Sequence, residues 1–334
     1  MIEVQHLVKK FGDFTAVNDL SFAVESGQVM GFLGPNGAGK STTMKMITGF
    51  LRPTAGTARI AGIDICDNPL AAQTQLGYLP EGAPAWPDMT PRQFLDFITR
   101  IRGLDKSAAR QAMIRAIGMT ELHGVLDQPI DTLSKGYRRR VGLAQAIVHD
   151  PDVLVMDEPT DGLDPNQKFQ VRQAIEEMAA HKAIIISTHI LEEVDAICSH
   201  AMIIDRGEIV AEGTPSALAA RSRFFGAVSL TLDTQLLERA RAVLDGIANS
   251  RYEVVTRGVE TVISVFPDGT PAPATDLLAQ VQDLIAQQDW PVRALALETG
   301  RLDDVFGTLT RKPRPLADAV DVPDAADVPD GGRA

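Results

Sequence analysis

Gly34-Pro35-Asn36-Gly37-Ala38-Gly39-Lys40-Ser41 is a glycine-rich run that ends on a cation and a hydroxyl, and Thr42 follows it. It matches the pattern GxxxxGK[ST]. Glycines let the chain turn so that successive backbone N–H groups point inward at phosphate oxygens. A helix opening near Lys40 would add the positive end of its dipole. In such a loop Lys40 reaches the β- and γ-phosphates of a nucleoside triphosphate, and the Ser41 hydroxyl ligates Mg²⁺. A second cluster, Asp157-Glu158, directly follows the apolar residues 153–156. A carboxylate at the end of a buried parallel strand points into the crevice where ligands bind. Asp157 there suits a water-mediated Mg²⁺ contact, and Glu158 is placed to polarise an attacking water as general base. Taken alone, the first run could be a chance glycine turn and the second an acidic turn before Pro159. Together they point to phosphate chemistry.

Both clusters need rigid elements to hold them. Residues 28–33 read as a buried strand ahead of the loop, and residues 43–49 as the helix after it. Further short apolar runs lie at 153–156 and 183–187. Such runs with helical stretches between them predict a parallel sheet covered by helices. From about 89 to 150 the pattern is helical throughout, an insertion in the α/β core; Thr90 followed by Pro91 signals a helix over 93–102. The region from 1 to about 220 forms one unit.

Residues 225–310 read as a second unit. Val228, Leu230 and Leu232 alternate, and Leu236, Leu237, Ala240, Val243 and Leu244 recur at helical spacing. Strands follow at 252–256 and 261–266 around Arg257-Gly258, then a helical stripe through Leu277, Leu278, Val281, Leu284 and Ile285, then alternation over 292–297. The order β-α-β-β-α-β suits a small α+β, ferredoxin-like domain. With no glycine phosphate loop and no acidic pair at a strand end, it suits dimer contact or regulation rather than chemistry. Leu302, Val305 and Phe306 then share a helix face, to be packed either on the first unit, on a second copy, or in the small domain's own core. The remainder, 311–334, is rich in Pro, Ala and Asp and reads as a disordered tail.

Composition narrows the class. The formal net charge is −12, which excludes the basic footprint of a general nucleic-acid binder. The two cysteines, Cys66 and Cys198, lie in no CxxC or Cys/His cluster and read as reduced thiols of a cytosolic protein. Residues 1–6 lack a basic segment followed by an apolar one, so no signal peptide is expected. No apolar run approaches the roughly 20 residues of a membrane helix. Any membrane step would fall to another chain.

Between the two phosphate clusters lies Leu133-Ser134-Lys135-Gly136-Tyr137, opening a helix through Gly142, Leu143, Ala144 and Ile147. This resembles the LSGGQ signature of ABC-type ATPases, and other features are similar to that family. Phe11 resembles the aromatic that stacks on adenine, with a plain core position as its other reading. Glu81, in Gly77-Tyr78-Leu79-Pro80-Glu81, stands where the family's Q-loop glutamine usually is. Asp161-Gly162-Leu163-Asp164 resembles the D-loop, and His189, in Ser187-Thr188-His189, the switch histidine that donates to the γ-phosphate. The LPE and LSKGY wording is most similar to bacterial subunits of gliding-motility or multidrug-export type.

The resemblance implies a P-loop NTPase of ABC type, a mixed sheet with a helical subdomain, that binds ATP with Mg²⁺. Asp164 would be the D-loop residue, Ser41, Asp157 and Glu81 the metal contacts, and Glu158, His189 and Lys40 the catalytic set. It implies a homodimer or pseudo-dimer, in which Ser134, Lys135 and Gly136 complete the site on the opposite subunit. It implies membrane permease partners in separate chains and a place on the cytoplasmic face of the inner membrane. Lys135 and Tyr137 depart from the signature, and Glu81 adds negative charge near the phosphates. Arg138-Arg139-Arg140 read as solvated, salt-bridged residues of the signature helix. Trp86 suits either a membrane-partner contact or a cap on the local core. Rival classes are a soluble ABC ATPase of translation or DNA repair, a metabolite kinase, and a non-hydrolysing nucleotide sensor. The first would need a second cassette or a coiled-coil insertion, the second leaves Ser134 to Tyr137 unexplained, and Glu158 with His189 weighs against the third.

Overall fold

The computed structural model describes residues 1–245, 250–267, 274–288 and 290–310. The expected tail at 311–334 lies outside them. The chain opens on a long hairpin, β1 (Ile2–Phe11) and β2 (Phe14–Val24), and then enters β3 (Val29–Leu33), which is buried at every position. The glycine-rich loop follows and delivers α1 (Lys40–Ile47). Next come β4 (Ala55–Ile60), β5 (Ile63–Asp64), α2 (Pro69–Thr74) and β6 (Leu76–Leu79). Helices α3 (Pro91–Ile101), α4 (Lys106–Met119) and α5 (Lys135–Ile147) make the inserted helical region. Thr90 closes a reciprocal capping box with Gln93 at the start of α3, satisfying N–H groups that would otherwise lack partners.

The chain then returns to the sheet with β7 (Val153–Asp157), α6 (Pro165–Ala179), β8 (Ala183–Ser187), α7 (Leu191–Ile197), β9 (His200–Asp205), β10 (Glu208–Gly213) and α8 (Pro215–Ala219). The small unit holds β11 (Val228–Asp233), α9 (Leu237–Leu244), β12 (Ser250–Arg257), β13 (Glu260–Pro267), α10 (Ala274–Gln288) and β14 (Ala294–Leu297), and α11 (Leu302–Thr310) ends the described chain.

The central sheet runs β10-β9-β3-β8-β7-β6, parallel except for the antiparallel edge strand β10. Its strands are covered on both faces, which explains their unbroken apolar runs. Successive side chains go to opposite cores. Leu33, Leu154, Met156, Ile184, Ile186 and Ile203 face the helices, while Phe32, Val153, Val155, Ile185 and Ile204 face α1 and the hairpin. A second, antiparallel sheet, β2-β1-β4-β5, closes that other side.

The third sheet, β12-β13-β11-β14, is antiparallel throughout, the order and pairing expected for the ferredoxin-like unit. Alternating burial on β11 gives it a core of its own, around Val228, Leu230, Leu232, Ile263, Val265 and Trp290. Helix α11 does not join that core. Leu302 and Val305 pack in the large cluster with Ala211 and Leu218 of the first unit. Of the placements open to that helix from sequence, it takes the one on the first unit.

Candidate nucleotide site

The glycine loop is shaped by close backbone approaches. An added Cβ on Gly34 would lie 2.3 Å from the Ile204 carbonyl oxygen, and one on Gly39, at φ 104°, 2.6 Å from that of Ala16. No larger residue fits at either. At Gly37, φ 79°, a Cβ would meet nothing within 4 Å, so the loop's mouth is open there. Pro35, Asn36 and Gly37 are solvent-accessible, while Ala38, Gly39 and Lys40 are buried. Ser41 and Thr42 stand half-buried on the first turn of α1. The Ala16 contact also sets the hairpin against the loop. Phe11, at the end of β1, is 47% exposed, with the Lys9 ammonium 5.1 Å from its ring centroid. The core reading of Phe11 is therefore excluded, and its ring is available to a ligand.

Lys40 donates from Nζ to the Gly34 oxygen at 2.6 Å and the Pro35 oxygen at 3.1 Å, and so spans the loop. Burial pushes its pKa down; the negative charges of Glu158, Asp157 and Glu81 oppose that fall. All three carboxylates expected from sequence thus lie within electrostatic reach of this ammonium. Asp157 is buried at the end of β7 and accepts from the Ser187 hydroxyl on β8. Glu158 follows with φ 49°, a left-handed conformation that redirects its side chain at the strand end. Its N–H donates to Ser187, and its Oε1 lies 2.9 Å from His189 Nδ1. The structure therefore joins Glu158 and His189, which are 31 residues apart in sequence.

Ser134 caps α5, its Oγ accepting from the Tyr137 N–H at 3.3 Å, and it remains exposed. Lys135 reaches Asp161 Oδ2 at 2.8 Å, and that contact holds the Asp161 carboxyl below its ordinary pKa. Gly136 packs against α6: an added Cβ would lie 2.4 Å from Gln167 Oε1. Asp164 caps α6 through a box with Gln167. The signature residues and the D-loop turn of one chain thus touch each other, and no described contact joins Ser134 to the phosphate loop of the same chain. Glu81 is exposed just beyond β6.

Two arginines of α5 depart from the sequence expectation. Arg138 is exposed, but Arg139 and Arg140 are 5% and 6% exposed. Arg140 is ion-paired with Glu121 and bonded to Gln170. Arg139 donates to the carbonyls of Pro80, Asp157 and Glu158, tying the signature helix to the ends of β6 and β7. Sequence reasoning missed this role. A signal was present in the helical phase, since Arg139 shares a face with Gly142, Leu143 and Ala146, all buried. Trp86 is 52% exposed and stacks edge-on against Phe97 and Phe94, with centroids at 5.0 and 5.8 Å.

A family model described as ABC transporter matches residues 17–161. The chain is 33% identical over 311 residues to the Nod factor export ATP-binding protein I of Ralstonia nicotianae, covering 93% of this chain and 94% of that one. It is 36% identical over 223 residues to a probable multidrug ABC transporter ATP-binding protein of Escherichia coli, covering 66% of this chain and 38% of that one. Its fold matches a solved ATP-binding subunit of an ABC transporter with a TM-score of 0.62 at 28% identity, over 66% of this chain and 92% of that chain. Loop, acidic strand end, signature helix and relatives agree: the chain belongs to the ABC transporter family, as an ATP-binding subunit with ATPase activity.

Proposed function

We propose that this subunit powers an exporter by closing on a second copy, or a close relative, around two molecules of Mg-ATP. The observation that carries the reading is the meeting of Glu158 and His189 at 2.9 Å beside the buried Lys40. The backbone N–H groups of residues 36–41 would cradle the phosphates, Lys40 would bridge the β- and γ-phosphates, and Phe11 would stack on adenine. Glu158 would take a proton from the water that attacks the γ-phosphorus, and the bond to ADP would break. His189, held by Glu158, would donate to the γ-phosphate.

Among the described residues, no cluster of three or more His, Cys, Asp or Glu could hold a metal unaided. The donors present fit Mg²⁺ arriving with its nucleotide, because Mg²⁺ takes one or two protein oxygens alongside phosphate and water. Ser41, Asp157 and Glu81 supply such hard oxygens; the ion would neutralise charge on the transferring phosphoryl group.

Ser134, Lys135 and Gly136 would meet the γ-phosphate held by the other subunit, so that nucleotide closes the dimer and hydrolysis opens it. No described helix is long and apolar enough to cross a membrane. We assign that step to separate permease chains, with this subunit docked on the cytoplasmic face of the inner membrane. Export is supported by the names of the relatives. Glu158→Gln should retain Mg-ATP affinity in a titration and cut steady-state hydrolysis by roughly 10²–10⁴-fold, the usual contribution of a general base. Hydrolysis at the parent rate would remove Glu158 from the role.

A further inference from the structure

Glu193 lies on α7, four residues beyond His189, and is 1% exposed. A carboxylate this deep persists only where its oxygens are satisfied. Its Oε1 accepts from the Thr160 hydroxyl and lies 3.3 Å from Lys168 Nζ and 4.0 Å from Arg172 Nη2. Its Oε2 accepts from the Thr188 hydroxyl at 2.9 Å. The two hydroxyls come from different parts of the site. Thr160 opens the turn that carries Asp161 and Asp164. Thr188 immediately precedes His189, and its Oγ1 also accepts the Ile190 N–H at 3.0 Å, so one hydroxyl spans the backbone of His189 from both sides. The Thr188 N–H is in turn fixed to the Phe32 carbonyl of β3.

We infer that Glu193 is a positioning residue for ATP hydrolysis: it holds the switch histidine and the D-loop turn in one fixed relation through Thr188 and Thr160. This rests on the role given to His189 above. The clamp acts on orientation and touches no nucleotide. Without it the Thr188 hydroxyl loses its acceptor, the turn around His189 gains freedom, and the Nδ1 contact with Glu158 is no longer held. A group misplaced by about 1 Å costs on the order of 10²-fold in rate, and loss of an orienting partner costs about 10- to 100-fold. Glu193→Gln keeps the shape but presents an amide NH₂ where an oxygen accepted, and it removes the countercharge of Lys168 and Arg172.

The test is a double-mutant cycle on steady-state ATP hydrolysis, with Mg-ATP affinity measured in parallel. Glu193→Gln should lower kcat by about 10-fold or more with affinity within about 2-fold of the parent. In a His189→Ala background the same change should cost several-fold less than in the parent, because the histidine it positions is already gone and only the hold on the D-loop turn is left to lose. Thr188→Val, which removes only the hydroxyl, should reproduce the loss and so tests the clamp even if Glu193→Gln folds poorly. A parent-level kcat in Thr188→Val or in folded Glu193→Gln overturns the proposal. So does an undiminished loss in the His189→Ala background, or a loss confined to affinity. If His189→Ala alone hydrolyses ATP at the parent rate, the fault lies with the role of His189.

Discussion

Arg139 and His149 show how single residues of α5 and the loop after it respond to burial. Arg139 exchanges water for three backbone carbonyls, and burial still pushes its pKa down against the pull of Asp157, Asp161, Glu158 and Glu81. His149 has less compensation. One ring nitrogen lies 3.1 Å from the Leu76 oxygen, the other is buried with no partner among the described residues, and Arg102 stands nearby. Burial, aided by that cation, lowers its pKa from 6.5 to about 4. Between these two values the unfolded chain binds a proton that the folded chain refuses, so stability falls as pH drops from 6.5 towards 4. His149→Gln should flatten that part of a pH series of urea unfolding midpoints; an unchanged slope would show that His149 does not titrate as placed. Lys40, Asp157 and Glu158 are legible in the sequence because each ends a local pattern, a glycine run or an apolar strand. The carbonyls that Arg139 meets, and the Thr160 and Lys168 that meet Glu193, are not, because they come from elements distant in the chain.

At the scale of elements, periodicity carries β3, β7 and β8 of the central sheet and the strands of the small domain, since two buried faces or strict alternation leave a clear pattern. Periodicity does not reveal β6, β9 and β10. The hairpin of β1 and β2 and the short β4 and β5 escape it. Register shifts interrupt the pairing of β1 with both neighbours and break the alternation that would mark it. Helix α11 shows a second limit. Its apolar face is readable, but the surface it meets is a tertiary fact. Leu302 and Val305 belong to the same buried cluster as Ala211 and Leu218, while Asp304 accepts from Ser222 at 2.9 Å and pairs with Arg223 at 3.2 Å. Leu302→Ala should destabilise the first unit by about 2–4 kcal/mol, the usual cost of a buried leucine. Denaturant unfolding would register this; a change below about 0.5 kcal/mol would mean that α11 is not part of that core.

At the scale of the whole molecule, Ser134 makes no described contact with the phosphate loop of its own chain. Ser134 is exposed at the start of α5, and Lys135 and Gly136 engage the D-loop turn and α6 of the same chain. In the proposed dimer the parts of the site meet across two copies, and a nucleotide that bridges them links chemistry to closure. This dimeric logic comes to the sequence only through its resemblance to a family, because no single-chain pattern encodes a partner's position. The central claim is therefore that Ser134 serves the nucleotide of the opposite subunit. Its most direct measurement is the solution mass of Glu158→Gln with Mg-ATP, compared with the same protein also carrying Ser134→Arg. Glu158→Gln should shift from 36.0 kDa to about 72 kDa, twice the chain mass, when Mg-ATP is added. The added Ser134→Arg should hold it at 36.0 kDa while Mg-ATP still binds the monomer. A dimer that forms equally well with Ser134→Arg, or an ATP-saturated Glu158→Gln that stays monomeric, would contradict the shared site.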